Sequence, residues 1–581
     1  MPLSRSTLAG LSAVLCTACA TPPAPSSRLP PPIASSASPA AAAPPAPRSP
    51  FVLSFLGLND LHGRLRALPA FAGYANNLRR ARAKDGGAVA LVDAGDMFQG
   101  TLESNLTEGA SVISAYRVLG MTVATLGNHE FDFGPEAADA GGNDPQGAIR
   151  ARISQASFPI LSANLVKRGS LASPAWDKLR RSVIVQVGGV RIGFVGLLTH
   201  ETPSIVLNAF FAGLDVAPLA PALLDEARSL RSQGAELVIG VAHAGADCTD
   251  FSDPSDLRSC KPDAEIFDVA RALPPGSVDA IFAGHTHAAV AQLVNGIPIV
   301  EAYARGRAFS RIDLRLDGAT HRVLERQIFP PHELCPKLTE GGPCTLTDYE
   351  GQPTSEDLDV AQAIEPALAK AEHFREAPVG CTVSEAMSCE HGIESALGNL
   401  FADLLRESVT GSDVAILNGG SLRADLPAGQ LSYGQLFEAM PFDNLVAKIR
   451  LTGAELRTVL ATHLQHDAHG LISLSGLRVR AQCGKAGLEL SLTRENGKAV
   501  SDRETLLLTT SDYLATGGDG LFQPLALSPQ RIEIDTSGTF RDALARSLKR
   551  HPQLSPRDPR IFDPAHPRLD LSSPRPMICA H

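Results

Sequence analysis

The sequence predicts an α/β protein built in two regions, and three observations support this prediction. Short apolar runs rich in Val and Ile recur from residue 51 onwards, as expected for buried strands of an α/β sheet. Helical stretches, such as the one predicted at 220–233, alternate with these runs. A second α/β region follows residue 377 and opens with a helix predicted at 394–408. A chain of 581 residues is long enough for both regions to bury cores of their own.

Five of the predicted strands are followed by side chains that can bind metal ions. The strands are predicted at Phe51–Leu58, Val89–Val92, Val123–Leu126, Leu237–Val241 and Ala280–Phe282. In α/β sheets, ligands gather beyond the carboxyl ends of the strands. The side chains at these ends that can donate to a metal are Asp60, His62, Asp96, Asn128, His243, His285 and His287. Because a carboxylate has two oxygens, Asp96 can bridge two ions, and the pattern predicts a two-metal site.

The predicted ligands combine oxygen and nitrogen donors, which favours Zn, Mn, Fe or Co over Ca or Mg. Two such ions about 3.5–4 Å apart can activate a nucleophile and stabilise phosphoryl oxygens. The sequence therefore predicts a metal-dependent hydrolase with two divalent cations, whose identity the ligands do not determine.

Charge and composition restrict the partners. Hydrophobic residues make up 44% and charged residues 20% of the chain, as is typical of soluble globular proteins. The net charge of −10 argues against a nucleic-acid polymer as the main partner, because such binding requires a basic surface. A small anionic substrate is still compatible, since bound dications dominate the local field. The oligomeric state is left open.

The amino terminus predicts export. Arg5 precedes the apolar segment Leu8–Leu15, which is too short to span a bilayer. Cys19 resembles the acylated residue of a lipoprotein processing site, although Cys16 stands where such sites usually carry Leu. Residues 20–50 contain 11 prolines and predict an extended tether. We expect a signal peptide at 1–19 and a periplasmic or envelope protein anchored through Cys19, with cleavage to a soluble exported form as the alternative.

The cysteines also fit an oxidising compartment. Eight of them lie beyond the tether, an even number that suggests disulfides. Their spacing favours Cys248 with Cys260, Cys335 with Cys344 and Cys381 with Cys389, which leaves Cys483 with Cys579, although sequence alone does not fix this connectivity. Zinc-binding cysteines are a weaker alternative, because no C-x-x-C pair occurs in the mature chain.

Domain boundaries follow from the same patterns. We predict a first domain at 51–345, a connecting helix within 346–376 and a second domain at 377–575. Thr354 can cap the connecting helix, with Asp357 in its first turn. Pro366 should kink this helix or mark a second start.

The motifs resemble a known family. Asp60-x-His62, Gly95-Asp96-x-x-Gln99-Gly100, Gly127-Asn128-His129-Glu130-Phe131-Asp132, Ala242-His243 and Gly284-His285-Thr286-His287 are similar to those of calcineurin-like metallophosphoesterases, and the third resembles the 5′-nucleotidase branch. Motifs of the second region resemble that branch's carboxy-terminal domain: Leu397-Gly398-Asn399-Leu400, Asn418-Gly419-Gly420-Ser421-Leu422-Arg423, Met440-Pro441-Phe442-Asp443-Asn444 and Ala515-Thr516-Gly517-Gly518-Asp519-Gly520. The resemblance implies a four-layer αββα sandwich joined by a linker helix to an α/β (α+β) substrate-binding domain.

The resemblance also implies roles at the metal centre. One ion would be bound by Asp60, His62, Asp96 and His287, and the other by Asp96, Asn128, His243 and His285. His129 would donate a proton or hydrogen bond to the phosphoryl oxygen or leaving group, and Asp132 would orient its imidazole. His200 also follows an apolar run but matches no ligand position, so we expect no metal there.

In the second domain, the resemblance implies a nucleotide-binding site. Phe442 and Tyr513 would stack on the base, Asn444 would meet the base edge and Asp519 the ribose hydroxyls. Arg423, which follows the turn that begins at Asn418, would bind phosphate through its planar guanidinium.

The chain departs from the family pattern at His391, where relatives usually carry a second phosphate-binding arginine. Histidine has fewer donors and is mostly neutral at pH 7, so the substitution could weaken phosphate binding, add pH dependence or indicate another substrate.

The predicted function is release of phosphate from nucleotides, as by a 5′-nucleotidase, with UDP-sugar or 2′,3′-cyclic nucleotide hydrolysis as further reactions. One alternative is a metallophosphoesterase acting on a non-nucleotide phosphoester, and another is a surface lipoprotein that binds nucleosides or metals without turnover. Because metals and aromatic side chains are predicted on different domains, we expect hinge motion around residues 346–376.

Overall fold

The computed structural model describes residues 49–136, 144–335, 344–466, 470–485 and 487–579. The predicted export signal and all but the end of the tether lie outside these residues. Residues 48–581 belong to one compact unit. Within the described ranges, no helix has both the length and the apolar character needed to cross a membrane.

The first half of this unit alternates strands and helices, as the sequence predicts. In chain order the elements are β1 (Phe51–Leu58), α1 (Leu68–Asp85), β2 (Ala88–Asp93), α2 (Leu102–Asn105), α3 (Ala110–Leu119), β3 (Val123–Thr125), α4 (Gly147–Gln155), β4 (Ile160–Leu161), β5 (Leu165–Lys167), β6 (Ser182–Val187), β7 (Val190–Leu198), α5 (Thr202–Ile205), β8 (Leu214–Val216), α6 (Leu219–Ser232), β9 (Leu237–His243), α7 (Glu265–Ala272), β10 (Ala280–Ala283), β11 (Ala289–Val294), β12 (Ile297–Ala302), β13 (Ala308–Leu316) and β14 (Val323–Glu333).

Two six-stranded sheets pack face to face in this half. Their strand orders are β14-β13-β1-β2-β3-β4 and β11-β12-β10-β9-β7-β6. Phe55 and Val92 of the first sheet share one buried apolar cluster with Phe194 and Phe282 of the second. A Cβ on Gly57 would lie 2.4 Å from the ring of Phe282, so the sheets approach too closely there for a larger residue.

Helices cover both outer faces of this pair of sheets. On the first sheet, Leu78 of α1 and Tyr116 of α3 pack against Leu56 and Leu91. On the second, Leu223 of α6 and Phe267 of α7 belong to one cluster with strand residues such as Val238. The layers are therefore helix, sheet, sheet and helix, which confirms the predicted αββα sandwich.

A long helix, α8 (Leu358–Arg375), follows the sandwich. It begins later than predicted, because Asp357 rather than Thr354 is the N-cap and accepts a hydrogen bond from the Val360 amide. The helix runs through Pro366 and does not start anew there. Its residues Val360 and Ile364 belong to the core of the sandwich, so most of α8 packs against the first half.

The second half is a further α/β arrangement around a five-stranded sheet of order β19-β16-β22-β18-β23. Alternate residues of its strands enter two separate cores, with Ile416 on one face and Ala415 and Leu417 on the other. The elements are β15 (Pro378–Val383), α9 (Ala396–Ser408), β16 (Val414–Leu417), β17 (Gly429–Ser432), α10 (Tyr433–Ala439), β18 (Leu445–Thr452), α11 (Gly453–Gln465), β19 (Ser473–Ser475), β20 (Leu477–Gly484), β21 (Gly487–Arg494), β22 (Thr505–Ser511), α12 (Asp512–Ala515), β23 (Ile532–Thr539), α13 (Phe540–Leu548), β24 (Gln553–Leu554) and β25 (Leu569–Leu571).

Three of the four expected disulfides are present: Cys248–Cys260, Cys335–Cys344 and Cys483–Cys579. The expected Cys381–Cys389 bond is wrong, since both thiols are free. Cys381 lies on β15 and points into the core beside Val379 and Val383, whereas Cys389 belongs to the loop after this strand and is partly exposed. A spacing of eight residues therefore did not bring the two sulfurs together.

Candidate metal centre

The first candidate ligand set joins three strand ends of the sandwich. Ligand atoms of Asp60, His62, Asp96 and His287 all lie within 4.8 Å of one another. His287 Nε2 is 3.4 Å from Asp60 Oδ1 and 2.9 Å from His62 Nε2. Asp60, His62 and Asp96 are buried, while His287 is partly exposed. These are the four residues that the resemblance assigns to one ion.

The second set shares Asp96 with the first. Ligand atoms of Asp96, His243 and His285 lie within 4.8 Å of one another. His243 Nε2 is 3.2 Å from Asp96 Oδ2 and 3.1 Å from Asn128 Oδ1. The same Asp96 oxygen is 3.8 Å from His62 Nε2, so it faces both sets. Asp96, the residue that the sequence predicts to bridge two ions, is therefore the residue that the two sets share.

Most of the residues that carry these side chains have an unusual backbone conformation. Asp60, His62, Asp96, His285 and His287 all have positive φ angles, between 48° and 84°. Residues other than glycine rarely adopt this conformation, which costs about 1–3 kcal/mol per residue and concentrates at functional sites. The turns after the strands thus aim five ligand candidates into one region at an energetic cost.

Backbone carbonyls fix the orientation of two imidazoles. The Nδ1 atoms of His62 and His243 lie 2.8 Å from the carbonyl oxygens of Gln99 and Ala94, respectively. If each Nδ1–H donates to its carbonyl, each Nε2 presents a lone pair to the centre, as metal-binding histidines commonly do.

The donor set fits divalent cations. Asp60 Oδ1 is buried without a hydrogen-bond partner, although it lies in the middle of the first set. His243 Nε2 faces two oxygen acceptors, Asp96 Oδ2 and Asn128 Oδ1, an arrangement that favours a proton or a metal cation between them. Burial alone would lower the pKa of His243, yet the Asp96 carboxylate raises it to about 10. The centre therefore attracts positive charge strongly.

Several supporting residues were not singled out from the sequence. The buried carboxylate of Glu130 accepts hydrogen bonds from the amides of Asp96, Met97 and Gly127 at 2.6–2.9 Å, which ties two ligand-bearing turns together. Burial, together with the charge of Asp96, raises the pKa of Glu130 to about 7. The available signal was its place in the Gly127–Asp132 motif, directly after His129.

Asn59 and Glu201 were also missed. Asn59 donates to Asp60 Oδ2 and to the Tyr303 carbonyl, at 2.8 and 2.5 Å. Glu201 Oε2 lies 3.2 Å from His285 Nε2 at the exposed side of the centre. His200, the histidine expected not to bind metal, instead pairs with Glu265 and belongs to neither ligand set.

His129 lies between the metal centre and the second domain. Its Nδ1 is 2.6 Å from Asp132 Oδ2, and its Nε2 is 3.2 Å from Arg423 Nη2. Burial lowers the pKa of His129, but Asp132 and Asp96 raise it more, so the net shift is upward. The side chains of His129, Asp132 and Arg423 thus form one chain of contacts across the domain boundary.

A cleft of about 950 Å³ separates the metal centre from the second domain. Its far wall includes all seven substrate-binding candidates, which are His391, Asn418, Arg423, Phe442, Asn444, Tyr513 and Asp519. The Phe442 ring centroid is 5.8 Å from that of His129 and 5.1 Å from the Arg423 guanidinium carbon. The fold therefore brings four of the predicted metal ligands, Asp96, Asn128, His285 and His287, to the same cavity as the predicted substrate residues.

The far wall is organised by side-chain hydrogen bonds. Tyr513 Oη donates to Asp519 Oδ1 at 2.5 Å, and Asn418 Nδ2 donates to Asp519 Oδ2 at 2.8 Å. Asn444 Nδ2 donates to Asp512 Oδ1 at 3.2 Å. Asp519 and Asp512 thus hold three of the candidate substrate residues in place.

The comparisons with known proteins match this architecture. The family model of the calcineurin-like phosphoesterases matches residues 53–289, and the model of the 5′-nucleotidase C-terminal domain matches residues 376–526. The chain therefore carries a calcineurin-like phosphoesterase domain followed by a 5′-nucleotidase C-terminal domain. The family resemblance that the motifs predicted is confirmed.

Individual relatives extend this match. Endonuclease YhcR of Bacillus subtilis is 27% identical over 83% of this chain, which spans only 38% of the length of that relative. Protein UshA of Escherichia coli is 25% identical over 81% of this chain and 86% of its own length. The crystal structure of a 5′-nucleotidase precursor from Thermus thermophilus covers 90% of this chain and all of its own, with a TM-score of 0.69 and 22% identity, and shows the same fold.

Proposed function

We propose that this metallophosphoesterase is an exported enzyme that uses two divalent cations to release phosphate from nucleotides, that is, a 5′-nucleotidase. The observation that carries the proposal is the position of Asp96, shared by two ligand sets on one wall of a cleft whose other wall holds aromatic and acidic side chains. Hydrolysis of UDP-sugars or 2′,3′-cyclic nucleotides is a further reaction in the same proposal.

The candidate metal ligands would bind the two cations that the reaction requires. Asp60, His62, Asp96 and His287 would hold one cation, and Asp96, Asn128, His243 and His285 the other. Bound there, Zn, Mn, Co or Fe ions would supply Lewis acidity to the phosphoryl group and activate water as the nucleophile.

His129 and Asp132 would provide the acid–base chemistry of the protein itself. Asp132 holds the imidazole through Nδ1, which leaves Nε2 directed towards Arg423 and the cleft. With a phosphate ester bound, Nε2 would donate to a phosphoryl or leaving-group oxygen. Arg423 would then pair with the phosphate instead of with His129, because a guanidinium binds anionic oxygens more strongly than an imidazole nitrogen.

The second domain would bind the nucleoside. Phe442 and Tyr513 offer aromatic faces for the base, Asn444 an amide for its edge, and Asp519 a carboxylate for the ribose hydroxyls. Asn418 would act through Asp519, which it contacts directly. In this proposal, residues 51–345 form the catalytic domain, 346–376 the linker and 377–575 the substrate-binding domain.

Export is supported by the three disulfides, because such bonds persist in oxidising compartments. One relative, which is 26% identical, is the cell wall protein Lmo0130 of Listeria monocytogenes. We place the protein in the periplasm or cell envelope, with a lipid anchor at Cys19 as the form of attachment.

His391 favours a second candidate, a phosphoesterase acting on a non-nucleotide ester. Burial and the charge of Arg423 lower the pKa of His391 despite its hydrogen bond to the Gly419 carbonyl, so a neutral imidazole stands where relatives usually carry an arginine.

A substrate panel tests the proposal against this candidate. We expect Mn- or Zn-loaded protein to release phosphate from AMP and UMP with a kcat/KM at least about tenfold above that for glycerol phosphate, because only nucleotides engage both walls of the cleft. The matched variant Phe442→Ala should remove most of this preference while leaving glycerol phosphate hydrolysis nearly unchanged. Release from glycerol phosphate alone would reject the nucleotidase assignment, and release from neither would reject the enzyme.

A further inference from the structure

A basic recess of about 600 Å³ opens beside the cleft, and Arg305 is part of its wall. The recess and the cleft share three lining residues, His287, His391 and Arg423. On its other side, Arg305 lines a small cavity together with His62 and Arg423. Arg305 therefore stands next to both the first metal-ligand set and the expected phosphate-binding arginine.

The main chain around Arg305 is fixed to the metal centre. The Arg305 amide donates to the carbonyl oxygen of Asp60 at 2.6 Å. The Asn59 side chain fixes the residues that precede Arg305. It accepts a hydrogen bond from the Ala302 amide at 2.9 Å and donates one to the Tyr303 carbonyl at 2.5 Å. Arg305 also has a φ angle of 57°, like the neighbouring ligand candidates. Its position is thus built into the same turns that carry Asp60.

Within the described ranges, the Arg305 guanidinium forms no ion pair, although the Glu438 carboxylate lines the same small cavity and acts to raise the pKa of Arg305. Among the described residues, no hydrogen bond or ion pair involves this side chain, although it is partly buried. By contrast, the nearby Arg307 pairs with Glu333 at 3.0 Å and stacks on the Tyr303 ring. Burial, with the positive charges of Arg64 and Arg423, lowers the pKa of Arg305 to about 10, which still leaves it charged at neutral pH. A partly buried cation beside other cations is stabilised best by a bound anion.

His391 is poorly placed to bind that anion. Its Nδ1 lies 2.8 Å from the Gly419 carbonyl oxygen, and its Nε2 lies 3.5 Å from the Cys389 sulfur. When Nδ1–H donates to the carbonyl, the neutral ring has no second N–H to offer. His391 in this state therefore offers no N–H to an anion in the recess.

We propose that Arg305 is a substrate-binding residue that, with Arg423, binds the phosphate group of the substrate in place of the arginine expected at position 391. This inference rests on the proposed function in that the substrate is a phosphate ester. It places one phosphate-binding guanidinium on each domain, so that the bound phosphate would hold the two domains together.

Calorimetric titration of inorganic phosphate into Mn-loaded protein tests this role without turnover. We expect Arg305→Gln to raise the Kd for phosphate by about tenfold or more, because it removes charge-assisted hydrogen bonds. Arg305→Lys, which keeps the charge but loses the planar fork, should have an intermediate effect. The control Arg307→Gln removes a charge from the same recess, but this guanidinium already pairs with Glu333, so the Kd should change less than about twofold. Adding His391→Arg to Arg305→Gln should recover affinity.

The role of Arg305 would be overturned if the wild type and Arg305→Gln bound phosphate with equal affinity, or if neither bound it. An equal loss of phosphate affinity in Arg307→Gln would also overturn it. AMP hydrolysis by the same samples is read separately. Phosphate binding that depends on Arg305 without any hydrolysis of nucleotides would contradict the proposed function and leave this inference standing.

Discussion

Several candidate metal ligands have a strained backbone conformation, and together their donor atoms are arranged to bind cations. Left-handed conformations at Asp60, Asp96 and His285 bring donors from three turns to one place, and hydrogen bonds such as that from the His129 amide to Asp96 Oδ1 at 2.9 Å maintain this arrangement. Strain of this kind persists only where the surrounding structure enforces it. At the scale of single residues, the centre is therefore prearranged for cations.

His129 supplies the first prediction. His129→Ala should lower kcat for AMP by about 10²–10⁴-fold, because a positioned acid contributes on this order. The reduction should be smaller for p-nitrophenyl phosphate, whose leaving group needs no proton. The matched control is His200→Ala, which removes an exposed histidine that pairs with Glu265 and belongs to neither ligand set. Equal kcat values for AMP in the wild type and the His129 variant would contradict the acid role.

Glu130 supplies a prediction about stability. Glu130→Ala leaves buried amides of Asp96, Met97 and Gly127 without their acceptor, at a cost of about 1–3 kcal/mol each. We expect the melting temperature to fall by about 5 °C or more, and Mn affinity to weaken, because two ligand-bearing turns lose their connection.

Glu325→Ala is the control for Glu130, since it removes a carboxylate from an exposed ion pair with Arg315. Such pairs contribute at most about 1 kcal/mol. If both variants melted at the same temperature, Glu130 would not be the connection between the turns.

At the scale of secondary-structure elements, the sequence predicted the features that depend on local interactions. β1 has the predicted bounds, and β2, β3, β9 and β10 differ from prediction by one or two residues, because apolar runs followed by polar turns define buried strands well. The predictions failed where tertiary contacts decide. Asp357 caps α8 because the Asn76 side chain and the Pro69 carbonyl hold it there, and the direction of Cys381 follows from the register of β15.

The free thiols of β15 and the following loop give a prediction at this scale. Alkylation of denatured, unreduced protein followed by peptide mapping should label Cys381 and Cys389 and leave Cys248, Cys260, Cys335, Cys344, Cys483 and Cys579 unlabelled. Labelling that appears at Cys381 and Cys389 only after reduction would show that these two residues form a disulfide.

At the scale of the whole molecule, function depends on contacts between domains that the sequence did not reveal. Asn105 donates to the Pro441 carbonyl at 3.2 Å, Asn208 donates to the Thr516 carbonyl at 2.7 Å, and Arg423 reaches His129. Sequence patterns report the local environment of each residue, whereas these contacts depend on how two separately folded regions meet. The candidate metal ligands could be predicted because they lie at or just after the ends of apolar strands, but Arg305 and Glu201 could not, since neither belongs to a recognised motif.

Domain closure, which the sequence leads us to expect, also concerns the whole molecule. The amino-terminal part of α8 belongs to the core of the sandwich, and Ala371 near its end packs with Phe437 of α10. If the domains rotate as we propose, the helix should move with the sandwich, and the change in backbone angles should fall near residues 375–377.

The central claim is that Asp96 bridges two cations, and anomalous diffraction from crystals of the Mn-loaded protein tests it most directly. We predict two anomalous peaks about 3.5–4 Å apart, one beside Asp60 and His287 and the other beside His243 and His285, with Asp96 between them. A single peak, or two peaks that Asp96 does not contact, would contradict the account.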